Sequence, residues 1–248
     1  MGTMGTHFPT KLSTLLGNGR YRDAIEACTK QLHREESEIV YAGRAEAYFN
    51  LKDYDRALAD FQSANAVATD TSTDNLERIG VVNWLARREY TAAGTWLDLV
   101  LACDRGKIDY ADAAGGVEPG CLLWFAAVRL EFKELLIPAR RLLEKKVAAK
   151  GSGCCHIDNW PGPIAMFLLG MLDEPQLREK IIEVPIARER ELCQAEFYVA
   201  VKALQDGDPV KAKLAFRKAA ALHDASIENE YDLAQRESRR RAPIARCV

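Results

Sequence analysis

Apolar positions recur along this chain at spacings of three and four, which predicts helices and gives no strand-like alternation. Five octets share one pattern: Tyr21–Cys28, Tyr54–Phe61, Tyr90–Leu97, Leu136–Leu143 and Pro209–Phe216. In each, the first and eighth positions are apolar and the fourth is alanine: Ala24, Ala57, Ala93, Ala139 and Ala212. That spacing forms one helical stripe, on which the small alanine admits a neighbouring helix and the large residues fill the groove beside it. A second helical pattern precedes each octet. The clearest is Glu38–Leu51, where Tyr41, Ala45 and Tyr48 recur, before Lys52-Asp53 turns the chain into Tyr54.

Tyr41, Ala45, Tyr48, Tyr54, Ala57, Phe61 and Ala64 fall in phase with the tetratricopeptide repeat (TPR), and residues 38–71 resemble one such helix–turn–helix unit. Residues 5–37 give a second copy, with Gly17-Asn18-Gly19 as its turn. Residues 74–107 give a third, with Gly80, Trp84, Tyr90 and Ala93, and with Asp74 and Glu77 spaced as a capping box. Residues 120–150 and 193–226 are more divergent copies. In the last, Asp208-Pro209 reads as an N-cap followed by proline in the first helical turn. The resemblance implies an all-α, right-handed TPR-like α-solenoid of about five helix pairs, in a single domain over residues 1–248.

Successive octets lie 33, 36, 46 and 73 residues apart, so extra chain enters late. Residues 151–192 are read as an insertion with an apolar helix, Ile164–Leu172, and a charged one, Gln176–Val184. Its Trp160-Pro161-Gly162-Pro163 segment is similar to the C-terminal part of some bacterial TPR proteins. The prolines force an extended approach and then start a helix, leaving Trp160 to anchor the crossing. Residues 227–248 are expected to form a solvating cap helix (Ile227–Ser238) and a basic tail, since solenoids need a polar end.

Composition narrows the function. The 248 residues are 48% apolar and 28% charged, with a net charge of −2, and the sequence pI is near 6.1. Such a balance disfavours a general nucleic-acid binder. The charge is uneven: residues 236–248 carry five arginines against one glutamate, +4, so residues 1–235 carry −6. The longest apolar runs, Ile164–Leu172 and Gly120–Val128, are about half of the ~20 residues that span a bilayer. No apolar signal-peptide core stands in residues 1–20, and the seven cysteines are an odd, scattered set. No membrane association is expected, and a cytoplasmic location is. Met1–Thr6 formally fits the N-myristoylation pattern, without a polybasic companion, and a duplicated start explains it as well.

Chemistry-bearing clusters are few. Cys154-Cys155-His156-x-Asp158 gathers nucleophile and ligand types, but no second pair completes a zinc site and no oxyanion-stabilising element accompanies it. No phosphate-binding loop is present. Neither a catalytic site, a metal nor a cofactor is expected.

What the TPR resemblance implies is a protein–protein interaction module, an adaptor, scaffold or co-chaperone-like protein, taking a peptide or partner on its concave face. Counting in repeat phase, Glu46, Phe49, Asn50, Arg78, Val82, Trp124, Phe125 and Tyr198 are the candidate contacts. The carboxylate clamp of Hsp70/Hsp90-type binders is absent, because Gly43, Asn75 and Ile79 stand at its positions. A sequestering, immunity-type protein that blocks a toxin or enzyme is the alternative, and an enzyme using the Cys154–Asp158 loop a more distant one. The aromatic candidates have a second reading as core, covered by the inserted helix Ile164–Leu172.

Overall fold

A computed structural model describes residues 7–68, 74–107, 114–149, 151–152 and 155–240. The Met1–Thr6 pattern, Cys154 and the tail beyond Arg240 lie outside the described residues, as does the side chain of Asp74. The protein is helical, and the only sheet among the described residues is a two-stranded hairpin. The chain divides into two compact units, Met1–Thr95 and Trp96–Val248.

The N-terminal unit holds α1 (His7–Gly17), α2 (Tyr21–Leu32), α3 (Glu38–Asn50), α4 (Tyr54–Val67), α5 (Asp74–Leu85) and the start of α6 (Glu89–Asp104). Consecutive helices from α1 to α5 pack against each other, and α1 also reaches α3. Gly43 explains that last approach: a Cβ there would collide with the Leu12 side chain. Leu12, Leu15, Ala24, Cys28, Val40 and Ala47 form the core beneath. Arg44 ties three helices together, donating to both Asp60 carboxylate oxygens at 2.7 and 2.8 Å and to Thr29 Oγ1 at 3.1 Å.

The C-terminal unit contains α7 (Glu118–Arg129), a 3₁₀ turn (Lys133–Leu135), α8 (Leu136–Ala149), the hairpin β1 (Gly151–Ser152) and β2 (Cys155–His156), α9 (Gly162–Leu168) and α10 (Glu174–Glu179). Then follow α11 (Pro185–Gln205), α12 (Pro209–Ala219), a second 3₁₀ turn (His223–Ala225) and α13 (Asn229–Arg239). The inserted α9 packs on α7, α8 and α11, while α12 and α13 close the far side of α11. Helix α9 is shorter than expected, because the chain turns at Gly170 with φ +78°. Helix α11 is longer, starting eight residues before residue 193. Proline at its first position and the run of helix formers after it favour that early start. Gly162 sits so close to Ile157 that a Cβ would strike the Ile157 carbonyl.

The octet alanines are all buried, at α2, α4, α6, α8 and α12. The first octet position is less uniform, since Tyr90 is 73% exposed. A second regularity accompanies the octets. Gly19, Lys52, Arg87, Glu131 and Gly207 all take positive φ, between +56° and +81°. Each donates its amide to the carbonyl three residues back, and the next amide reaches five residues back, as Lys52 N to Phe49 O at 2.8 Å and Asp53 N to Tyr48 O at 2.9 Å. This is the Schellman turn, which satisfies the last carbonyls of a helix and reverses the chain. Two residues later the next helical segment begins every time. Asp53 and Asp208 cap α4 and α12, accepting from Arg56 N at 3.3 Å and Lys211 N at 2.9 Å.

Three of the five left-handed positions carry a side chain, which costs roughly 1–2 kcal/mol against glycine. Lys52→Gly, Arg87→Gly and Glu131→Gly should therefore each stabilise the protein by about 0.5–1 kcal/mol after the entropy of the unfolded chain is counted. Urea unfolding of the three variants measures this; a lowered midpoint would show that the turns do not hold this geometry.

Candidate functional site

The candidate residues separate into two groups. Glu46, Phe49 and Asn50 occupy α3, and Arg78 faces them from α5. The Arg78 guanidinium makes a two-pronged pair with Glu46, Nε to Oε1 at 2.8 Å and Nη2 to Oε2 at 2.9 Å. Its central carbon also lies 4.2 Å from the centre of the Phe49 ring. A planar cation can satisfy both geometries at once, which an ammonium could not. Asn50 donates back to the Glu46 carbonyl at 2.8 Å, and Asn75 on α5 donates to Glu38 Oε1 at 2.8 Å. Phe49 is only 7% exposed, but Asn50 is open, and Ile39 on the same helix is 59% exposed. Ile39, Ala42, Glu46 and Phe49 follow helical spacing along one stripe. The clamp positions are closed by packing: Gly43 lies under Leu12, and Asn75 and Ile79 are buried.

Val82, Trp124, Phe125 and Tyr198 do not stand on an open face. Val82 is fully buried in α5, and the three aromatics are buried in the C-terminal unit. Helix α7 is enclosed on all sides from Pro119 to Ala127, as expected of a helix apolar all round. Phe125, Phe197 and Phe216 bring α7, α11 and α12 together, with ring centres 4.9 Å and 5.4 Å apart. Trp124 donates its Nε1 proton to Gln205 at 3.0 Å and lies under the Arg140 guanidinium. Helical spacing puts Trp124, Phe125 and Tyr198 on apolar stripes, and the packing of α7, α9 and α11 turns those stripes inward.

The cap helix also differs from a solvating element. Helix α13 buries Glu230, Leu233, Ala234 and Glu237 along one stripe. Glu237 receives Arg129 Nε at 2.6 Å. Glu230 ends a directional chain: Trp160 Nε1 donates to Gln194 Oε1 at 2.6 Å, and Gln194 Nε2 donates to Glu230 Oε2 at 3.1 Å. Tyr198 OH donates to the other Glu230 oxygen at 3.0 Å. Burial and then the nearby Glu228 push the Glu230 carboxyl up to about 7. No motif in the sequence announces this network, whose hydrogen-bonded partners are separated by more than thirty residues. A carboxylate in phase with Leu233 and Ala234 is its one local trace.

The His156–Asp158 pair of the Cys-rich loop lies at the surface, with Nδ1 and Oδ2 3.2 Å apart. Asp158 N donates to that same Nδ1, so the ring nitrogen serves the loop's own turn. Among the described residues no group of three His, Cys, Asp or Glu side chains could hold a metal ion. Burial raises the Cys28 thiol to about 11 and the Cys193 thiol further, so both rest protonated and unreactive. A cleft of about 350 Å³ opens beside Phe167, Leu172, Val199 and Ala203. Of its four carboxylates, Asp173 and Asp208 are occupied as helix caps, Glu174 pairs with Arg178 and Lys211, and Asp206 completes the lining. No described helix is long and apolar enough to cross a membrane.

No protein-family model and no curated protein matches the chain. Among solved structures, one similarity covers 86% of this chain and 95% of the other, at 20% identity and a TM-score of 0.30. At that TM-score the superposition is poor, and the helical-repeat assignment rests on the chain's own helix pairing and its recurring turn. The protein so matched is the C-terminal part of a TPR repeat-containing protein from Cytophaga hutchinsonii, to which this chain is similar.

Proposed function

We propose that the protein is a non-catalytic protein–protein interaction module, an adaptor or scaffold that takes a peptide or partner protein along the α1/α3/α5 side of its N-terminal unit. The observation that carries this reading is the Glu46–Arg78–Phe49 cluster beside the exposed Ile39 and Asn50. A partner meeting this face finds an apolar contact, an amide and a fixed guanidinium whose geometry is already set, so binding need not order them. The buried, protonated thiols Cys28 and Cys193 suit a reducing, cytoplasmic compartment. Sequestration of a toxin or enzyme would use the same face to a different end.

The test is affinity capture with the full chain, read by mass spectrometry. Ile39→Glu combined with Asn50→Ala should leave the helical circular dichroism unchanged and lower recovery of the specific partner at least roughly tenfold, the loss of one hot-spot contact. Undiminished capture by the folded double variant would sink the proposal.

A further inference from the structure

Helix α12 carries four cations, Lys211, Lys213, Arg217 and Lys218, and no acidic residue. It buries Ala212, Ala215, Phe216 and Ala219. Its opposite side leaves Val210 79% and Leu214 56% exposed, one helical turn apart. Lys213 and Arg217 continue that stripe, giving positions 210, 213, 214 and 217 on one face. The flanking cations are neutralised within the protein: Lys211 binds Glu174 at 2.9 Å and Lys218 lies 3.9 Å from Glu196. Among the described residues no carboxylate pairs with Lys213 or Arg217.

We infer that this outward face of α12 is a second docking surface, for an acidic amphipathic helix of a partner protein. Aliphatic side chains of that helix would pack over Val210 and Leu214, and its carboxylates would meet Lys213 and Arg217. The i, i+3, i+4, i+7 spacing matches the ridge that one helix offers another. A membrane surface fits less well. Lipid-binding helices sink a broad apolar face into the acyl boundary, whereas α12 spends its broad apolar side on α11 and α13 and shows only two aliphatic residues outward. This face is on different helices from the proposed α1/α3/α5 site and stands independently of it.

The experiment uses the full chain and a fluorescein-labelled helical probe of about 20 residues, with leucines on one stripe and glutamates flanking it. Fluorescence anisotropy should show saturable binding that weakens roughly tenfold between low and physiological salt. Leu214→Glu, and separately Lys213→Glu with Arg217→Glu, should each weaken it roughly tenfold or more, while Ile137→Glu, at an exposed aliphatic residue of α8, binds as the wild type does. Leu214 and Arg217 are exposed and Lys213 is half-buried, and circular dichroism checks that each variant is folded. The inference is overturned by no binding, by equal binding of the variants, or by equal binding of a probe with lysines replacing the glutamates. It is also overturned if phosphatidylserine vesicles bind the protein through these same residues and the peptide does not.

Discussion

Replacing Phe197 by alanine is expected to destabilise the protein by about 3–5 kcal/mol, the range for emptying a large aromatic site in a packed core. Phe197 is fully buried, and its ring meets three others: Phe125 at 4.9 Å, Tyr198 at 5.1 Å and Phe216 at 5.4 Å. All three contacts are edge-to-face, a geometry that adds about 0.5–1.5 kcal/mol per pair beyond area burial. Because α7, α11 and α12 converge on this ring, no single helix can move to fill the space. Phe197→Leu keeps most of the volume and should cost less, about 1–2 kcal/mol. Urea unfolding separates these values. A loss below about 1 kcal/mol for the alanine variant would show that the helices do not converge there.

Replacing Glu230 by glutamine should leave stability nearly unchanged near pH 5 and raise it near pH 8. Burial, with Glu228 adding repulsion, lifts the folded carboxyl to about 7 from an ordinary value of 4.5. A group raised in this way stabilises the fold while protonated, fully below the unfolded value, and that contribution is lost as pH rises through 7. In the neutral acid the Tyr198 bond reverses, so that one oxygen still accepts from Gln194 while the other donates to the Tyr198 hydroxyl, and glutamine copies both interactions. The wild type should therefore lose of order 3 kcal/mol between pH 5 and 8 that the glutamine variant keeps. Thermal unfolding of both proteins across that range reads the difference at roughly 2–4 °C per kcal/mol. A glutamine variant that is equally weaker at every pH would mean that the carboxylate is held ionised by its two donors.

Much of the helical architecture is written locally. The octet alanines mark where second helices approach their neighbours, and all five are buried. The glycines at 19 and 207 mark two of the five Schellman turns that precede the octets, while Lys52, Arg87 and Glu131 hide the other three behind side chains that are rarely left-handed. Only the backbone reveals that the turns are the same. Helical periodicity places Trp124, Phe125 and Tyr198 on apolar stripes, but it does not say whether a stripe faces a groove or another helix. The insertion decides that question, since α9 closes on α7, α8 and α11. Repeat phase names Glu46 and Arg78 as separate candidates in successive copies and does not pair them. The stacking of Arg78 on Phe49 and the Trp160–Gln194–Glu230–Tyr198 network depend on side chains distant in sequence, which no local pattern encodes.

The tryptophans and the aromatic cluster form interior, leaving ligand contact to other faces. Iodide quenching of tryptophan fluorescence in the folded chain tests this most directly. Trp84, Trp96 and Trp124 are fully buried and Trp160 is half-buried, so no more than one tryptophan in four should be open to the anion. Emission that is mostly quenched under native conditions would contradict this account and return the aromatics to an open groove.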